Sequence, residues 1–179
     1  MANIKRSIVQ LQVALISMAL ASAAAATTHL RFYMHGTVTA SPGSPATVVP
    51  VARGTTLLPG EFFTRKCACA VCRRPAETEG PSAASPAVGR AQGLYLFAAQ
   101  HELVVMHCLS MVFTAERHNG SYVVVQGMPS SIVKVRELPV VGGDGRFCSA
   151  TGYGLLRTHS FNSITKNAVL RIHMYLTMM

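Results

Sequence analysis

The chain has 179 residues, of which 50% are hydrophobic and 13% charged, with a formal net charge of +9. That composition excludes a disordered chain. Five cysteines over this length are too few for a disulfide scaffold, so a packed core must hold the fold. Acidic groups number seven against sixteen Lys and Arg, and Asp144 is the single aspartate.

The N-terminus reads as a targeting segment. Lys5 and Arg6 precede the apolar run Ile8 to Leu20, and Ala21-Ser22-Ala23 and Ala24-Ala25-Ala26 follow as small-residue cleavage sites. Charge, apolar run and small residues in that order describe a secretory signal peptide. The run falls short of the roughly 20 apolar residues of a membrane span. The expected division is a signal peptide at 1–26 and one domain at 27–179, secreted and free of the membrane after cleavage. Two of the nine net charges lie in the leader, which leaves +7 on the mature part. Nucleic acid is not an expected partner of a secreted protein. The plainer reading is basic residues scattered over a surface, with an acidic wall polysaccharide as the alternative partner.

Period two dominates the rest. In THLRFYMHGTV (28–38), Leu30, Phe32, Met34 and Val38 alternate with His29, Arg31, Tyr33 and His35, the mark of a strand with one buried face. Further strands are expected at 88–99, 102–114, 121–127, 131–137, 146–160 and 167–176. Residues 76–87 are small and proline-containing and predict a surface loop. Turns are expected at Pro42-Gly43, at Gly142-Gly143-Asp144-Gly145, at Thr165-Lys166-Asn167 and at Asn119-Gly120, the last as a two-residue hairpin turn. Many short strands and no helical period imply an all-β antiparallel sandwich or barrel. Glycines inside the strand patterns favour a barrel, because closing a sheet needs bends.

The strings THLRFYMHGTVTASPGSPATVVPVARGTT, EGPSAASPAVGRAQGLYLFAA, LPVVGGDGRF and ATGYGLLRTHSF, in that order, resemble a plant dirigent protein of the grass type. The resemblance runs from Thr28 to about Leu176 and breaks only around 61–76. It implies an eight-stranded antiparallel β-barrel similar to allene oxide cyclase, secreted to the apoplast and assembled as a homo-oligomer, dimer or trimer. It also implies a stereodirecting auxiliary in lignan biosynthesis that oxidises nothing and needs no cofactor. A separate laccase or peroxidase supplies phenoxy radicals of a monolignol such as coniferyl alcohol, and the barrel orients their coupling. An allene oxide cyclase-like isomerase is the alternative, as is a ligand- or wall-binding defence barrel that no longer directs coupling.

Two departures from the family pattern stand out. The family's FYMHD reads FYMHG here, so Gly36 replaces an aspartate thought to act as a pocket acid. Where an apolar strand ending in an acidic pair is expected, the chain reads RKCACAVCRRPAETEGP, with Arg73 and Arg74 at the acidic positions. Ala, Cys and Arg are what GC-rich codons give out of frame, and a weakened strand and a less stable barrel are expected there. Cys67 and Cys69 would share a strand face with Cys72 opposite, and no His follows at zinc spacing, so no metal site is expected. Pairing of the triplet with Cys108 or Cys148 stays open.

Pocket candidates are inward apolar and aromatic residues: Phe32 and Met34 on the first strand, Tyr95, Phe113, and the alternating set Phe147, Ser149, Thr151, Tyr153 and Leu155. Asp144 replaces the family's usual threonine and is expected at the barrel rim. Asn119-Gly120-Ser121 is a glycosylation sequon. The seven histidines form no ligand or catalytic motif and are expected on the surface or rim. No G-x-S-x-G elbow supports Ser-His-Asp chemistry.

Overall fold

The computed structural model describes residues 26–52, 69–72, 76–97, 104–115, 118–128 and 133–178. Ten strands carry the fold: β1 Ala26–Gly36, β2 Val48–Ala52, β3 Cys69–Cys72, β4 Ala76–Thr78, β5 Ala87–Phe97, β6 Val105–Phe113, β7 Tyr122–Gly127, β8 Arg136–Asp144, β9 Thr151–Phe161 and β10 Ala168–Met178. They run in the order β2-β3-β5-β4-β1-β10-β9-β8-β7-β6, and an additional β5–β6 pairing closes the sheet on itself. β3 pairs with the second half of β5 at 93–96 and β4 with the first half at 87–90, so the two act as one interrupted stave. β2 takes over beside β3 where β1 leaves β4. The result is a closed antiparallel barrel of eight staves, as expected.

Alternation decides what lies inside. On β1, Phe32 and Met34 are buried in the core cluster. On β6, Leu109, Met111 and Phe113 are buried, and on β10, Ile172, Met174 and Leu176. One end of the barrel is closed by aromatic packing. Phe113 meets Phe32 edge-on at 5.8 Å and Phe147 at 5.3 Å, and His118 stacks on Phe147 at 5.1 Å. At the other end stand Gly36, Phe161 and Ala168, paired across three strands.

Several local expectations are corrected. Asn119-Gly120 is not a two-residue hairpin turn. β6 stops at Phe113 and β7 starts at Tyr122, and only Gly120 of the pair has positive φ (81°). Closure comes from Phe113 N–H donating to Ser121 O and Gly120 N–H to Phe113 O. Gly142, Gly143 and Asp144 finish β8, and the chain turns through a short 3-10 helix at Gly145–Phe147, so the strand expected from 146 begins only at Thr151. The strand expected at 131–137 is β8, which starts at Arg136 and carries Pro139 beside its own bulge at Val141, where the register to Val124 and Val125 of β7 shifts. Ala76–Thr78 pair as β4 rather than opening the surface loop, and β2 was not anticipated. Cys69–Cys72 forms a strand there, while Cys67, Arg73 and Arg74 lie outside the described residues. Cys108 and Cys148 carry free thiols, so the pairing left open above is not formed with either.

The bends demand glycine where strands are pressed together. Gly152 on β9 has φ of 131°, and a Cβ there would lie 2.0 Å from the Tyr175 carbonyl oxygen. Neither the backbone angle nor the space admits a side chain. Gly152→Ala is expected to destabilise the barrel by about 2–4 kcal/mol, read as a drop in thermal midpoint. An unchanged midpoint would contradict the close approach.

Candidate functional site: the barrel interior

The inner wall changes character along the barrel axis. At the Phe147 end it is hydrocarbon and aromatic rings. Toward the Gly36 end four polar residues share inward register with core residues. Tyr95 follows Ala91 and Gly93 on β5, and it faces His107, which precedes Leu109 on β6. Arg136 precedes the buried Leu138 and pairs with the buried Leu156, and Thr158 follows Leu156 on β9. The Tyr95 and His107 rings lie 6.1 Å apart, and Arg136 Nη2 donates to Thr158 Oγ1 at 2.9 Å.

Electrostatics here follow from burial without a carboxylate. Desolvation first, and the Arg136 charge second, push the His107 imidazole down to about 4. The ring is therefore neutral at any ordinary pH, with one nitrogen to donate and one to accept. Burial also lowers the pKa of Arg136, which keeps its charge all the same. Its Nε is buried with no hydrogen-bond partner among the described residues. The wall thus holds a fixed cation among the neutral polar groups Tyr95, His107 and Thr158, at the Gly36 end of a largely apolar interior.

Gly36 faces inward as alternation requires. A Cβ there would sit 3.9 Å from Val48 Cγ2 and 3.8 Å from the Ala168 oxygen, ordinary contacts that leave room for a side chain. Beside it on β1, His35 points outward and donates from Nε2 to Thr78 Oγ1 at 2.8 Å, since that hydroxyl gives its own proton to the Gly80 oxygen. At this rim an open cleft of about 480 Å³, lined also by Gly36, Phe161 and Ala168, runs between His35 and Thr37 on one side and Ser160, Asn162 and Asn167 on the other. Asn167 Oδ1 accepts from the N–H groups of Val38 and Thr39, which clips the loop after β1 to the β9–β10 connection.

One carboxyl does enter the core. Glu77 on β4 lies opposite Met34 on β1 and Gly89 on β5, and Gly89 in turn lies opposite Phe113. It is fully buried, and neither oxygen has a hydrogen-bond partner among the described residues. Burial raises its pKa to about 8, so the group is a neutral acid at neutral pH. A Cβ on Gly89 would come within 2.7 Å of Glu77 Oε2, so the carboxyl fills space that glycine leaves open.

The sequence-derived candidates separate into three groups. Phe32, Met34, Phe113 and Phe147 are buried together at the closed end, and Tyr95 stands half-buried on the polar wall. Thr151 and Tyr153 are corrected: both are exposed on the outer face, where Tyr153 stacks on Tyr175 at 5.2 Å. The buried residues of β9 are Gly154 and Leu156, the opposite parity. Asp144 is exposed at the Phe147 end, far along the barrel from Gly36, and its Oδ1 caps the 3-10 turn by accepting from Gly145 N–H at 2.7 Å. Asn119 is exposed on its turn. His107, Arg136 and Glu77 were not anticipated. Strict alternation from Phe113 back through Leu109 would have found His107. Among the described residues no group of His, Cys, Asp or Glu could hold a metal ion.

Comparisons with known proteins agree with this architecture. The dirigent-like protein family model matches residues 27–177. Dirigent protein 1 of Arabidopsis thaliana is 41% identical over 134 residues, covering 74% of this chain and 69% of that protein. Pterocarpan synthase 1 of Glycine max is 33% identical over 150 residues, covering 83% and 77%. A solved pterocarpan synthase dirigent protein superposes with a TM-score of 0.78 at 27% identity, covering 87% of this chain and 86% of that one. With the barrel, its inner wall and a family match across nearly all of its described length, this chain belongs to the dirigent family.

Proposed function

We propose that this dirigent barrel imposes handedness on the coupling of phenoxy radicals. The radicals would come from a monolignol such as coniferyl alcohol, oxidised by a separate laccase or peroxidase, and the products would be optically active lignans. The reading includes secretion to the apoplast after loss of residues 1–26, glycosylation at Asn119, and assembly as a homo-oligomer.

The observation that carries it is Arg136, a half-buried cation on the inner wall whose Nε–H has no partner among the described residues. A phenoxyl or phenol oxygen suits that donor, while its ring and propenyl chain suit the aromatic floor of Phe32, Phe113 and Phe147. Radical coupling needs almost no barrier lowered, so orientation is the whole task. A preference of about 1.4 kcal/mol for one facial arrangement gives tenfold selectivity. Neutral His107 and Tyr95 add directional contacts beside Arg136.

The test is chiral chromatography of coniferyl alcohol products formed by laccase with and without the protein. One enantiomer should be in excess at an unchanged rate of alcohol consumption, and a racemate would remove this reading. A second reading follows from the relatives named pterocarpan synthases: a ring-forming reaction on a closed-shell phenolic, with neutral His107 available for proton transfer. It predicts turnover with no oxidase present, which the first reading forbids.

A further inference from the structure

The outer face of β1, β10 and β9 is a second candidate site, independent of what the interior does. Register sets its outward residues in rows. His29, Tyr175 and Tyr153 form one row, Arg31, His173 and Leu155 the next, and Tyr33, Arg171 and Arg157 the third. The first row is continuously stacked, His29 on Tyr175 at 4.5 Å and Tyr175 on Tyr153 at 5.2 Å. His29 Nε2 and His173 Nδ1 lie 3.0 Å apart and tie the first row to the second.

The charge on this face is one-sided. Beyond burial, the groups that lower the His173 pKa are His29, Arg171, Arg31 and Arg157, and among the described residues no carboxylate offsets them. The acids at its margins are Glu137 on β8, opposite Leu155, and Glu79, which follows Thr78 opposite Tyr33.

The geometry points to an acidic polysaccharide: we propose that this face binds a linear chain of uronate carboxylates, with Arg31, Arg157 and Arg171 receiving the carboxylates and the His29–Tyr175–Tyr153 row hydrogen-bonding along the chain. Guanidinium forks match carboxylates. Tyr175 is stacked on by both His29 and Tyr153, and His29 also lies against His173, so the row keeps few free ring faces while its tyrosines still carry phenol hydroxyls. That arrangement suits a ligand recognised through oxygen atoms. It does not suit single-stranded nucleic acid, which needs free ring faces for its bases. Stacking also holds the side chains in place before binding, so less rotamer freedom is lost. A two-fold contact with a second copy would set guanidinium groups against guanidinium groups.

The experiment is binding of the folded protein to immobilised polygalacturonate, its methyl ester, anionic phospholipid vesicles and DNA. Expected is retention on polygalacturonate alone, lost on esterification and falling steeply with salt. In Arg157→Ala/Arg171→Ala the affinity should fall about tenfold, while Lys134→Ala/Arg146→Ala, elsewhere on the surface, should keep it. Equal retention of DNA or vesicles, or equal loss in the two double variants, would overturn the proposal in favour of unspecific surface charge. A change of oligomeric state in Arg157→Ala/Arg171→Ala would overturn it in favour of a second copy on this face. The polymer selectivity of the unaltered protein decides the matter even if a variant misfolds.

Discussion

Replacing Glu77 by leucine should stabilise the barrel, and by more as pH rises. The carboxyl titrates near its ordinary value of 4.5 when unfolded and near 8 when folded, because burial disfavours its charged form. The folded state therefore holds a proton that the unfolded state gives up across that window. Stability from this group is fully present below about pH 4.5 and is lost as pH rises through about 8, with a slope near 1.4 kcal/mol per pH unit between. The accumulated penalty above pH 8 is on the order of 5 kcal/mol, a large share of the about 5–15 kcal/mol a domain carries. Glu77→Leu removes the slope and puts hydrocarbon between Met34, Gly89 and Phe113. For a domain of this size the thermal midpoint at pH 8 should rise by about 10–20 °C and at pH 5 by much less. Glu77→Gln should also lose the slope but keep an unpaired polar group, so it should fall between the other two. Parallel pH profiles for parent and Leu variant would show that Glu77 is not buried as described.

Replacing Arg136 by leucine should return the coupling product to near-racemic while leaving the barrel folded. Arg136 reaches Thr158 from the Gly36 end of β8 and is half-buried, so leucine fits its stem without leaving a charge unpaired. What disappears is the donor on which the guest oxygen is fixed. If orientation rests on that contact, losing about 1.4 kcal/mol of facial preference takes tenfold selectivity to none. Arg136→Lys should restore little, because an ammonium cannot hold Thr158 and the guest in one plane. An independent readout is His107. Arg136 contributes to its lowered pKa, so the imidazole should titrate higher in Arg136→Leu, as NMR would show. Unchanged selectivity together with a raised His107 pKa would place Arg136 correctly and remove it from guest recognition.

The sequence revealed the barrel well where strands are continuous and poorly where alternation is interrupted. β1 and β10 pair without a break over eleven residues, and period two placed Phe32, Met34 and Gly36 inward without help. Counting onward from Phe147 to Tyr153 failed for a physical reason. The 3-10 turn and the positive φ of Ser149 (61°) reset the parity before β9 begins, so Tyr153 came out on the wrong side. Arg136 lay within the strand expected at 131–137 but was passed over because a charged side chain ordinarily faces solvent, whereas its parity with the buried Leu138 puts it on the inner wall. Glu77 is the second residue of a stretch that reads as loop, and only the pairing of β4 between β1 and β5 brings it into the core. The family resemblance fixed topology but not this carboxyl, since its position belongs to the stretch where the resemblance breaks.

A crystal structure of the protein with coniferyl alcohol, without oxidase, tests most directly whether the interior is where a phenol is held. The account predicts the phenol oxygen about 3 Å from Arg136, the ring beside Tyr95 and His107, and the side chain toward Phe32 and Phe113. Guest density confined to the outer cleft between His35 and Asn167, with the interior filled by side chains, would contradict it.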